Sequence, residues 1–335
     1  MLPRLPLIIS TASGAGRPDR LEPAIRAALE GQYALDFRYA TTLGGLRRAI
    51  DEELARGEPL VAVGGGDGTL HHAVNAIGDR PVTLAPLPLG TGNDFCRGLG
   101  LDTLDTSLDA MAHGGRQRID LLDVNGRRVV TVAGIGVVAR SALQVGRLAR
   151  PGSVLRTPIR LLGSLAYLGA GGVRLLCERG LATPALVRWR SAPDSREERI
   201  DGRFYGAFLA VRPTLGAGMR LPLDVTPDDG MFEVVLVETA PRMTVARNLP
   251  RLRKGAGISP GILDVHHAVE VVIEWAGGSP LLGDGEDLGS ATEVRARILP
   301  RALSVVTGGM GVLGHGGMGV LGHGGMGAWG HGGMG

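Results

Sequence analysis

The chain of 335 residues has a single lysine, Lys254, and draws the rest of its positive charge from arginine. That scarcity excludes two phosphate-handling architectures. A Walker loop needs Gly-Lys-Ser/Thr, and a protein kinase needs a strand lysine on its nucleotide. Lys254 lies in Leu252-Arg253-Lys254-Gly255-Ala256, with no phosphate loop before it. Aromatic residues are only 4% of the chain, so aliphatic side chains must fill the core. Two cysteines, Cys96 and Cys177, are too few and too far apart for a disulfide framework and read as reduced thiols. No apolar run reaches the ~18 residues of a membrane span. The opening residues, broken by Pro3 and Pro6, do not read as a secretory signal. The expected location is the cytoplasm, with contact at the inner face of a membrane allowed. No nucleic-acid partner is expected.

What is present suffices for two domains at roughly 150 residues each. Composition is 44% hydrophobic and 21% charged, enough to bury a core. The first third alternates. Strand-like runs at 5–10, 33–39, 60–63 and 82–86 are separated by helix-like runs at 19–30, 44–56 and 70–77. Leu21, Ile25, Ala28 and Leu29 share one helix face, as do Leu43, Leu46, Ile50 and Leu54. Such alternation predicts a parallel sheet with helices on its faces. From about Ile119 strand-like runs crowd together, at 119–124, 128–133, 185–190, 204–211, 232–238, 268–275 and 292–299. That pattern predicts an antiparallel, sandwich-like second domain.

The most informative stretch is Val63-Gly64-Gly65-Gly66-Asp67-Gly68-Thr69-Leu70. Strand, glycine loop and helix in that order set backbone N–H groups and a helix N-terminus against phosphate. A carboxylate inside such a loop has use where a cation, usually Mg²⁺, mediates, or where a proton or hydroxyl is received. The bland alternative is an Asp-Gly turn. A second element, Pro88-Leu89-Gly90-Thr91-Gly92-Asn93-Asp94, also follows a strand-like run. Two such strand ends describe a crevice at the carboxyl edge of a parallel sheet.

These two elements, with a late Asp284-Gly285-Glu286, resemble the diacylglycerol kinase catalytic family, which includes sphingosine and ceramide kinases and small bacterial lipid kinases. Its pattern reads GGDGT, PLGTxND and DGE, and the resemblance covers about residues 5 to 306. It implies an α/β plus β fold. A nucleotide-binding domain over 1–122 and a β-rich lipid-substrate domain over 123–306 would enclose the active site between them. It implies an ATP- and Mg²⁺-dependent lipid kinase whose acceptor is a diacylglycerol-like or related long-chain lipid. The competing readings are an NAD kinase-like enzyme and a non-catalytic nucleotide- or lipid-binding relative.

Carried onto this sequence, the nucleotide would rest on Gly65, Gly66, Asp67, Gly68, Thr69, Leu70 and His71, on Thr91 and Asp94, and near Thr41. Asp67 and Asp94 would face the phosphates or their Mg²⁺, by direct ligation or by positioning. Glu286 is the first candidate for general base, with Asp284 or Asp67 serving instead or assisting. A hairpin turn is the plain alternative for 283–285. A structural cation loop is implied at Thr226, Asp229 and Met231, the carboxylate joined by backbone carbonyls. Three departures stand out. Ser10 replaces an asparagine in the first loop, His71-His72 replace Asn-Glu after GGDGT, and Val138 replaces the aspartate of a GFDA segment.

Two segments remain. Residues 144–179 hold Arg147, Arg150, Arg156, Arg160, Arg174 and Arg179 around an apolar middle. Such a segment suits an anionic membrane surface or a lipid-entry wall, or else a core helix with a solvated arginine face. Gly169 to Gly172 argue against one continuous helix there. The tail at 307–335 is an eight-residue Gly/Met/His repeat carrying His315, His323 and His331 and reads as disordered.

Overall fold

The computed structural model describes residues 1–11, 18–149, 153, 162, 164–216, 219–220, 228–254, 258–259 and 261–308. The repeat from 309 onward lies outside the described residues, as do Arg150, Arg156, Arg160 and Thr226.

The first part is built from β1 (Arg4–Ser10), α1 (Pro18–Leu29), β2 (Ala34–Ala40), α2 (Leu43–Ala55), β3 (Leu60–Gly65), α3 (Asp67–Ile77) and β4 (Thr83–Pro88). The strands pair in parallel in the order β2-β1-β3-β4. Position in the sheet explains their composition. β3 and β4 are covered on both faces and are buried along their whole length, whereas edge strand β2 is only partly covered. Thr42 caps α2 by accepting the Gly45 N–H at 3.1 Å. Two short helices follow, α4 (Asp94–Gly98) and α5 (Leu104–His113).

The second part contains β5 (Gly115–Val124), β6 (Arg127–Val129), β7 (Val132–Gly136), α6 (Val137–Leu148), α7 (Ser164–Cys177), β8 (Thr183–Arg190) and β9 (Glu198–Ala210). It continues through β10 (Thr214–Gly216), β11 (Met219–Arg220), β12 (Phe232–Glu238), α8 (Arg242–Lys254), β13 (Leu263–Ala268), β14 (Glu270–Gly283) and β15 (Glu286–Thr307). Its main path runs β13-β12-β9-β7-β14-β15, all antiparallel, and β8 bridges β14 and β9. The core between its layers includes Trp275, Phe204, Phe232 and Ile273.

The structure redraws three expectations. The run at 128–133 is two strands, because the N–H groups of Val130 and Thr131 leave the ladder and donate to the Asp284 carboxylate. Helix α7 continues through Gly169, Gly171 and Gly172. There α8 packs close, with Leu249 Cδ1 3.7 Å from where a Cβ of Gly172 would lie. The cores are not divided at residue 122. β15 is 22 residues long, pairs with β14 over its first part, then bends at Arg301 (φ 49°). Its last residues run parallel to β4, with Ser304 opposite Thr83, and Leu303 and Val305 lie in the first core. β5 follows β15 on both sides of the bend. Among the described residues no helix is long and apolar enough to cross a membrane.

Candidate active site

The two glycine loops at the carboxyl ends of β3 and β4 meet backbone to backbone. A Cβ on Gly90 would collide with the Gly66 Cα, so neither position accepts a side chain. Asn93, in the left-handed region at φ 54°, closes the second loop from inside. Its Oδ1 accepts the Gly90 N–H at 2.9 Å and its Nδ2 donates to the Gly90 carbonyl at 3.1 Å. Past Gly66, α3 begins, and its first N–H groups have no partner within the helix.

Asp67 and Asp94 converge beside Gly92. A Cβ there would lie 2.6 Å from Asp67 Oδ2 and 3.3 Å from Asp94 Oδ2. Asp67 Oδ1 accepts the Phe95 N–H at 3.1 Å, which ties one loop to the other. Burial, reinforced by the charge of Asp94, pushes the Asp67 carboxyl up to about 6.

The turn between β14 and β15 delivers the other acids. Asp284 sits at φ 53° with its side chain 2% exposed. Its oxygens accept N–H groups of Val130 and Thr131, the Thr131 hydroxyl at 2.7 Å and His71 Nδ1 at 2.8 Å. With its acceptor sites so filled, Asp284 anchors the turn. Glu286 is placed otherwise. It is 41% exposed and lies along the start of α3, where a Cβ on Gly68 would collide with its Oε1. Its carboxyl is held below the usual glutamate range, first by His72 and against the penalty of burial. The 3.9 Å between His72 Nε2 and Glu286 Oε2 makes that contact an ion pair rather than a hydrogen bond.

The expected nucleotide residues separate into two groups. Gly65, Gly66, Asp67, Gly68, Thr69, Thr91 and Asp94 gather at the two loops. Leu70 is fully buried with its N–H bonded to the Gly66 carbonyl, and the His71 ring faces Asp284, so neither side chain turns to a nucleotide. Thr41 is exposed at the end of β2, two strands away from β3. In the expected cation loop, Asp229 is exposed and accepts the Met231 N–H at 2.9 Å. The inward carboxylate is instead Asp228, which accepts the Asp120 N–H and Gln117 Nε2. No cluster of three or more His, Cys, Asp or Glu able to hold a metal occurs among the described residues.

From these acids a cavity of about 550 Å³ extends beneath α6, α7 and α8. Asp67, Asp94, Asp284, Glu286 and Thr91 line it together with Val138, Leu168, Leu175, Phe208 and Leu249. Residues that sequence reasoning passed over are Thr131 and Asn93, which clamp the loops, and Tyr167, which lines the cavity and whose hydroxyl is pushed up by burial and the charge of Asp94. Asn93 stood inside the recognised motif. Thr131 and Tyr167 carry no local signal.

The fold and the paired loops define a two-domain kinase. Residues 4–124 match the diacylglycerol kinase catalytic domain, and residues 180–307 match the YegS C-terminal NAD kinase beta sandwich-like domain. The chain is 30% identical over 302 residues to the Pseudomonas aeruginosa protein named "Probable lipid kinase YegS-like", covering 89% of this chain and 93% of that one. It is 32% identical over 217 residues to the diacylglycerol kinase of Bacillus subtilis, covering 62% and 64%. The crystal structure of a diacylglycerol kinase from Bacillus anthracis superposes with a TM-score of 0.67 at 17% identity, over 91% of this chain and 96% of that chain. The chain therefore belongs to the diacylglycerol kinase catalytic family, alongside YegS-like lipid kinases.

Proposed function

We propose that this protein transfers the γ-phosphoryl group of ATP to the hydroxyl of a diacylglycerol-like or related long-chain lipid, with Mg²⁺. One observation carries the reading: a single cavity is lined both by acids and glycines and by a set of aliphatic side chains. A lipid presents that pair of surfaces, a hydroxyl beside acyl chains. The loops at Gly65–Thr69 and Gly90–Asp94 offer backbone N–H groups to the phosphates. Asp67 and Asp94 suit Mg²⁺. They are oxygen donors that meet beside Gly92, and burial with the charge of Asp94 raises Asp67. An ion completing its shell with phosphate oxygens and water needs no third protein acid. It would neutralise charge on the phosphates. Glu286 takes the proton from the acceptor hydroxyl, its carboxylate being ionised and reachable at neutral pH.

The second half of the chain shares its fold name with NAD kinases. The aliphatic lining of the cavity favours a lipid over a dinucleotide. We also assign the cap to membrane contact. Leu148, Leu165, Val173, Leu176 and Met243 are exposed on α6, α7 and α8, and Arg147 and Arg179 stand exposed among them.

The test is purified protein with labelled ATP, offered a mixed lipid extract and, separately, NAD. A labelled lipid identified by mass is expected. Label in NAD alone, or nucleotide binding with no labelled product, would overturn the reading.

A further inference from the structure

Two acid–imidazole pairs join α3 to the β14–β15 turn, side by side. His71 meets Asp284 at 2.8 Å, with side chains 4% and 2% exposed. His72 meets Glu286 at 3.9 Å, with side chains 37% and 41% exposed. The two imidazole rings touch edge to face, 5.4 Å between centroids. The inner pair is locked, since Asp284 is also held by Val130 and Thr131, and Asn75 Nδ2 lies 3.4 Å from His71 Nε2. The outer pair has no such clamps. Among the described residues His72 is the only basic side chain within 4.0 Å of Glu286.

Gly68 and His72 are one turn apart on α3 and share a face. Glu286 lies along that face, Oε1 at Gly68 and Oε2 toward His72. The surrounding field is negative. Asp284 stands on the same turn, and Asp67 and Asp94 line the same cavity. The basic side chains nearby are His71 behind the pair, Arg97, which reaches Asp94 at 3.5 Å, and Arg147 on α6, which reaches Asp287 at 3.6 Å. A nucleoside triphosphate adds more negative charge. A carboxylate in that field tends to keep its proton, and a protonated carboxyl cannot accept another. His72 opposes this: its Nε2 lies 3.9 Å from the carboxylate, and its charge when protonated holds Glu286 down.

We propose that His72 is a positioning residue for Glu286: its imidazole keeps the carboxylate ionised and turned along α3, so the charge carried at position 72 sets how readily the acceptor hydroxyl is activated. The proposal rests on the reading of Glu286 as the base. It goes beyond that reading by giving the base a tuning partner.

The test reads Glu286 without needing turnover. The side-chain carboxyl resonance of the full chain, labelled with ¹³C at glutamate and assigned through Glu286→Gln, is followed from acidic to neutral pH. His72→Asn raises the Glu286 midpoint, by an amount that the exposure of the pair reduces. His72→Glu raises it further, because two neighbouring carboxylates compete for one charge. His72→Gln repeats the test if the shorter Asn loosens α3. In lipid phosphorylation the acidic limb of kcat moves in the same order, which a merely structural residue would not produce. A Glu286 midpoint unmoved by both Asn and Glu overturns the proposal, as does a moved midpoint with an unmoved acidic limb. A moved midpoint in a protein that labels no lipid supports the pairing and counts against the proposed function instead.

Discussion

The floor and the cap of the cavity are held by different forces. The floor consists of loops at the ends of β3 and β4 and the β14–β15 turn, fixed by hydrogen bonds and by contacts that allow only glycine. The cap consists of α6, α7 and α8, fixed by aliphatic packing around Leu175 and Val245, with apolar side chains left outside. Directional bonds demand particular residues at particular places, whereas packing asks mainly for apolar volume. The floor therefore tolerates few substitutions, while the cap accepts other apolar side chains more readily.

The largest effect should come from Asp67. Asp67→Asn is expected to lower lipid phosphorylation about 10³-fold or more, since charge on the transferring phosphoryl group is stabilised chiefly by electrostatics. The same change should stabilise the free protein. A carboxyl raised from 3.8 to about 6 favours its protonated form in the fold. Its stabilising contribution is present below its unfolded value and lost as pH rises through about 6. At neutral pH the variant should gain about 1–3 kcal/mol by denaturant titration, with Asn keeping the acceptor for the Phe95 N–H. A variant that is equally active, or less stable, breaks the assignment.

Glu286→Gln comes next, with turnover reduced about 10²–10⁴-fold and ATP binding intact by calorimetry. Asp284→Asn should differ in kind. It loosens the bonds to Thr131 and His71, so a lowered melting temperature is expected to accompany any loss of rate. A larger rate loss at Asp284 in a protein of unchanged stability would move the base there.

The cap should respond differently. Gly171 lies on α7 in the cavity wall, with only Leu249 Cδ1 within reach of a new Cβ, at 4.0 Å. Gly171→Leu is expected to fill that space and lower activity on long-chain acceptors about tenfold, with short-chain acceptors and ATP affinity little changed. Equal losses on both acceptors would show that cap and floor are not separable. Replacing exposed Arg147 and Arg179 with Gln should weaken sedimentation with anionic vesicles about fivefold, and added salt should do likewise. Unchanged sedimentation would leave the cap as core helices with a solvated face.

The smallest effect is expected from the repeat. A chain ending at Gly308, whose N–H reaches the Leu99 carbonyl, should keep turnover within about twofold. A large loss would place the repeat within the working body.

How much could be read in advance followed the same division. The floor was legible because its glycines, Asp67, Asp94 and Glu286 fall in three short motifs, which the fold brings to one cavity. Strands β1, β3 and β4 showed as apolar runs because both their faces are covered. The cap was half legible. Arginines and leucines marked the region of α7, but three glycines argued against a helix that packing against Leu249 in fact completes. α8 was passed over, its run interrupted by Pro250. The work of Asp284 was out of reach, because Thr131 and His71 are brought to it only by the fold.

The bend in β15 makes the two parts one object. Cutting the gene near residue 122 would not release a free-standing first part. The inner edge of β4 is covered by Ser304 and Val305, contributed from 221 residues further along. Without that return, β4 would present a raw row of unpaired backbone groups to any passing strand. A ribosome must therefore finish nearly the whole described body before the first sheet can close.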